Sequence, residues 1–81
     1  MRKARPRGQA AVIQRTLGQN VYELREAAGM SQEKLASLSS LSRSYIIRIE
    51  RGAANATIGT IVSIARVFDV TINDLLTREC C

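Results

Sequence analysis

Eighty-one residues are enough for one small domain, and an apolar content of 46% with one Phe, two Tyr and no Trp suits an aliphatic helical core. The formal net charge of +5 is uneven: residues 1–11 carry Arg2, Lys3, Arg5 and Arg7 with no acid, and the remainder is close to neutral. There is no His, the two cysteines are adjacent at the end, and no carboxylates cluster, so no catalytic base, partnered nucleophile, metal site or cofactor is expected.

Met1–Gly8 holds the only proline and no hydrophobic period. Residues 1–10 are therefore expected to be a basic flexible arm, ahead of a domain over 11–77 and a short tail at 78–81. Two readings of the arm stand: a strand of cations lying on phosphates or in a minor groove, or a solubilising tail. From about Gln9 to Ala28 a helix is expected, because Ile13, Leu17, Val21, Leu24 and Ala28 recur on one stripe. Gly18 is tolerated within it at some cost, and Gly29 ends it.

Ser31 is placed to cap a second helix, with Glu33 in its first turn, where a negative charge suits the helix dipole. Leu35, Ala36 and Leu38 sit near helical spacing. Ser39-Ser40-Leu41 is the break, and Ser42 caps a third helix running to Glu50. In that helix Ile46 and Ile49 form the buried stripe, flanked by Tyr45. Arg43, Ser44, Ile47 and Arg48 then share an exposed face, since residues four apart are neighbours on a helix. Two Arg, a Ser and an Ile are poor core material but fit a DNA major groove, where Arg reads guanine and apolar groups meet the thymine methyl. Ile47 is also readable as a surface Ile without a role.

Gly52 closes the third helix. Thr57 caps a fourth, whose broad apolar face takes in Ile58, Ile61, Val62, Ile64, Ala65 and Phe68. Thr71 and Asp74 have the spacing of a capping box for a fifth helix ending near Thr77. Phe68, Val70, Ile72, Leu75 and Leu76 exceed what three preceding helices can cover, which points to a homodimer interface. The alternative is that all five close the monomer core. Cys80 and Cys81 are read as free thiols on a loose tail. Neighbouring Cα atoms lie about 3.8 Å apart, below the usual disulfide range of about 4.4–6.8 Å.

The residues Ser31-Gln32-Glu33-Lys34-Leu35-Ala36, Leu41-Ser42-Arg43-Ser44-Tyr45-Ile46 and Arg48-Ile49-Glu50-Arg51-Gly52 resemble the helix-turn-helix of the phage-repressor-like family, the Xre, Cro and lambda-repressor type. The likeness runs from about residue 12 to 77. It implies an all-α, five-helix lambda-repressor-like DNA-binding domain with helices 2 and 3 as the motif. One departure is Ser40, where the family usually has Gly in a left-handed turn position. The resemblance further implies an Arg25–Glu50 ion pair and base contacts from Arg43, Ser44 and Arg48, with Ile47 on a thymine methyl. It implies phosphate contacts from Gln32, Arg51 and Asn55. Tyr45 has two readings: a ring on helix 2 with its hydroxyl on a phosphate, or a purely structural residue.

The expected partners are double-stranded DNA and a second copy of the chain, with no small-molecule ligand. No stretch reaches the roughly 18 apolar residues that span a bilayer, and the basic start lacks the apolar core of a secretory signal. No membrane partner is expected, and cytoplasmic residence is. The function implied is a sequence-specific transcriptional regulator on a pseudo-palindromic operator. Size, helix count and the Asn55-x-Thr57-Ile58 segment are similar to those of restriction–modification controller proteins. A phage-type repressor and an antitoxin-like protein-binding module are the alternatives.

Overall fold

Four of the five helices of this computed structural model open on the same chemistry. The structure describes residues 6–77, with side chains from Ala10 onward. Of the expected arm, Arg2, Lys3, Arg5 and the side chain of Arg7 lie outside the described residues, as do Cys80 and Cys81. The helices are α1 (Pro6–Ala27), α2 (Gln32–Ser39), α3 (Arg43–Glu50), α4 (Ile58–Phe68) and α5 (Ile72–Leu76), with no strand among the described residues. No helix among them is long and apolar enough to cross a membrane.

Each N-terminus from α2 to α5 is closed by a hydroxyl accepting a backbone N–H three residues on. Ser31 accepts from Lys34 at 3.0 Å and Ser42 from Tyr45 at 3.1 Å. Thr57 accepts from Thr60 at 3.2 Å and Thr71 from Asp74 at 3.0 Å. The Asp74 carboxylate returns the bond to the Thr71 N–H at 3.1 Å, completing a capping box. The first helix differs from its expected start near Gln9. It begins at Pro6, so residues 6–10 are helical rather than part of an arm. Proline at a first helical position loses nothing by lacking an N–H, and its fixed φ suits the helix.

The C-termini of α1 to α4 also share one device. Gly29, Ser40, Gly52 and Asp69 all have positive φ. In each case the next residue's N–H reaches back to a carbonyl five residues earlier: Met30 to Arg25, Leu41 to Ala36, Ala53 to Arg48, and Val70 to Ala65. Ser40 at φ 61° and Asp69 at φ 56° hold the left-handed conformation without glycine's freedom, at a cost on the order of 1 kcal/mol each.

Helix α1 packs on α3 and α5, α2 packs on α3 and α4, and α4 packs on α5. Every helix contributes to one aliphatic core: Leu17 and Val21, Leu35 and Ala36, Ile46 and Ile49, Ile61, Ile64 and Ala65, and Leu75, with Ala54 from the loop after α3. The Ser39 hydroxyl is buried in this core and donates to the Leu35 carbonyl at 2.7 Å. Leu24, Tyr45, Phe68, Val70, Ile72 and Leu76 pack around the rim.

The expected apolar stripes are shorter than their sequence periods. Ile13 and Ala28 face solvent because α3 and α5 cover only the middle of α1. Leu38 at 51% exposure and Ile58 at 68% also stand outside the core, at the end of α2 and the start of α4. Leu75 corrects the expected dimer surface. It is wholly buried within one chain, so it belongs to the monomer core and cannot meet a partner.

Gly18 explains how α1 comes so near α3. A Cβ built there would lie 2.3 Å from the Ile49 carbonyl oxygen and 2.9 Å from that of Glu50. The absent side chain lets the backbones of the two helices approach each other, which positions the end of α3.

Candidate nucleic-acid interface

Helix α3 is held from behind. Ile46 and Ile49 are sealed in the core, and Glu50 at the last turn anchors the helix to its neighbours. Arg25 of α1 donates to both Glu50 oxygens, from Nε to Oε2 at 2.6 Å and from Nη2 to Oε1 at 3.1 Å. Its remaining nitrogen, Nη1, donates to the Met30 carbonyl at 2.7 Å. Both side chains are nearly out of solvent, at 9% and 6% exposure. The hydrogen bond to Glu50 raises the Arg25 pKa above its already high ordinary value, and it outweighs burial, which acts the other way. The Tyr22 ring lies 5.5 Å from the guanidinium carbon.

Gln32, at the first position of α2, joins this network. Its Nε2 donates to Glu50 Oε1 at 3.0 Å. One carboxylate therefore ties α1, α2 and α3 together. An amide nitrogen carries two N–H groups, so the bond to Glu50 leaves Gln32 one further donor.

The front of α3 is open. Arg43, Ser44 and Arg48 are exposed and Ile47 is half-buried. The side chains of Arg43 and Ser44 make no hydrogen bond or ion pair among the described residues. Arg48 meets the Tyr45 ring, with its guanidinium carbon 5.9 Å from the centroid. Tyr45 itself is half-buried, with its ring packed against the core. Arg51 and Asn55 are exposed just beyond the helix, on a loop pinned by buried Ala54. Arg43, Ser44, Ile47 and Arg48 thus lie along one helix, with Arg51 and Asn55 following its end.

Two residues matter to this frame in ways that sequence reasoning missed: Gly18 was read only as a tolerated glycine, and Asn20 was not singled out. Gly18 carried a signal, a glycine inside an otherwise periodic helix. Asn20 carried one too, a polar residue three positions from Leu17 and four from Leu24, on the stripe itself. Its Nδ2 lies 2.7 Å from the Leu75 carbonyl and 2.9 Å from that of Thr77, and it donates across to the end of α5.

Two short helices joined by a left-handed turn, the second anchored behind and open in front, define a helix-turn-helix protein. The chain belongs to the helix-turn-helix family, whose model matches residues 21–75, and it is a DNA-binding transcription regulator rather than an enzyme. It is similar to control protein C.SmaI of Serratia marcescens, 37% identical over 67 residues that make up 83% of this chain and 80% of that protein. The restriction–modification controller protein C.AhdI from Aeromonas hydrophila shares 42% identity and a TM-score of 0.73, over 76% of this chain and 94% of that one. SinR, a master regulator for biofilm formation solved in complex with DNA, shares 31% identity and a TM-score of 0.71, over 75% of this chain and 98% of that one.

Proposed function

We propose that this protein binds a pseudo-palindromic operator as a homodimer and controls a restriction–modification operon together with its own gene. The observation that carries the reading is the open front of α3 on a helix locked from behind. Arg43, Ser44 and Arg48 read base edges there, and Ile47 meets a thymine methyl. Gln32, the Tyr45 hydroxyl, Arg51 and Asn55 hold phosphates and fix register. The charge of Arg2, Lys3, Arg5 and Arg7 adds sequence-independent attraction to the backbone. The likeness to two controller proteins supports the operon assignment.

Phe68, Val70, Ile72 and Leu76 form the proposed dimer surface, since all four are only partly buried at the rim of the core on one chain. Two-fold symmetry then sets the half-site centres about 34–36 Å apart, or a multiple of that. The DNA target proposed here supports residence in the cytoplasm.

The test is binding to a duplex carrying the protein's own upstream region against random duplex of equal length, over a salt series. The expected result is a preference of roughly 10³ or more with two chains per site. Equal, steeply salt-dependent binding to both duplexes would sink the reading and leave a basic helical module in search of a protein partner.

A further inference from the structure

The arginines at the front of α3 are not equivalent. Arg43 stands in the first turn with no described contact for its guanidinium, whereas Arg48 lies over the ring of Tyr45, one turn earlier, at 5.9 Å. Tyr45 is held by the core, so the ring is a fixed platform. A flexible arginine set against a fixed aromatic face loses part of its rotamer freedom before DNA arrives. No acceptor among the described residues takes its N–H groups, so they remain available to a base edge.

We infer that Tyr45 is a specificity-determining positioning residue: its ring orients Arg48 toward the base pair that Arg48 reads. The inference rests on the base-reading role given to α3 above. It separates two functions within one side chain. The Tyr45 hydroxyl, on a phosphate, strengthens binding to every duplex alike. The ring, through Arg48, sharpens discrimination at a single base pair.

The experiment compares Tyr45→Phe and Tyr45→Leu, each alone and combined with Arg48→Ala or Arg43→Ala. Affinities are measured for the upstream duplex and for random duplex. Tyr45→Phe weakens both duplexes together and keeps their ratio. Tyr45→Leu lowers the ratio by about two- to fivefold, the size of an exposed cation–π contact. That loss vanishes in the Arg48→Ala background and persists in the Arg43→Ala background. An equal loss in both backgrounds, or an unchanged ratio in Tyr45→Leu, overturns the inference while leaving the base-reading role intact. A wild type that binds both duplexes alike overturns that role and the inference with it. A second measurement covers the case in which Tyr45→Leu fails to fold. In the wild type, NMR should show the Arg48 δ-methylene protons shifted upfield by the Tyr45 ring, and random-coil positions for them overturn the inference.

Discussion

On one side of α3, Glu50 accepts hydrogen bonds from Arg25 and Gln32 while Ile46 and Ile49 are closed off from water. On the other, the side chains of Arg43 and Ser44 meet no described hydrogen-bonding partner and Arg48 touches only an aromatic face. Eight residues therefore carry two separate tasks, and the difference teaches how a helix of two turns works as a reading head. A helix this short is not stable alone. Its buried side must be bonded to neighbours so that its open side can be left unsatisfied and still be held in place.

Substitutions on the buried side should act on stability, and substitutions on the open side on binding alone. The largest effect is expected for Glu50→Ala, which takes from the buried Arg25 guanidinium its two-pronged carboxylate partner and leaves only the exposed Glu26 carboxylate, at 3.4 Å. Removing one partner of such a pair costs about 3–5 kcal/mol, read as a lower urea midpoint. An unchanged midpoint would erase the distinction between the two sides. The raised pKa of Arg25 adds a check on sign. Its stabilisation is complete below the ordinary arginine range and is lost only as pH rises through the folded-state value, so Arg25 itself imposes no pH slope near neutrality.

Gly18→Ala comes next. Alanine favours a helix by about 1 kcal/mol over glycine, yet the new Cβ would press on the Ile49 and Glu50 carbonyls and force α1 off α3. A net destabilisation of about 1–3 kcal/mol is expected. A stabilised variant would show that the crossing is looser than its geometry.

Arg43→Ala and Arg48→Ala probe the open side. Each should cost about 1–3 kcal/mol of operator binding and relax preference at one base pair. Unfolding should stay within about 0.5 kcal/mol of the wild type. A large loss of stability in either variant would join the two sides that the structure separates.

The smallest effect is expected at the turn between α2 and α3. Ser40→Gly should stabilise by up to about 1 kcal/mol, because glycine adopts the left-handed conformation freely. Operator binding should not change, since Ser40 lies at the far end of α2 from Gln32. A destabilised Ser40→Gly would show that the serine makes up its backbone cost by other means.

Local chemistry was legible where it acts through near neighbours. Ser31, Ser42, Thr57 and Thr71 announce four helix starts, because a cap needs only a hydroxyl and an N–H three residues away. The front of α3 was legible for a related reason: charged and small residues four apart on a short helix share a face. The ends of apolar stripes were not. Ile13, Leu38 and Ile58 keep the period of their helices but lie beyond the partners that would cover them. Leu75 looked like its half-exposed neighbours Ile72 and Leu76, and only the seating of α5 on α1 and α4 put it inside.

By itself the sequence determined the number and type of the elements, their capping residues and the side chains gathered on the front of α3. These follow from spacings of three or four residues, which every helix enforces. Tertiary structure decided the rest: that Gly18 is where two backbones meet, that Asn20 reaches the end of α5, and that Gln32 joins Arg25 on the Glu50 carboxylate. Each depends on groups far apart in the chain, and no local period records how closely two helices approach.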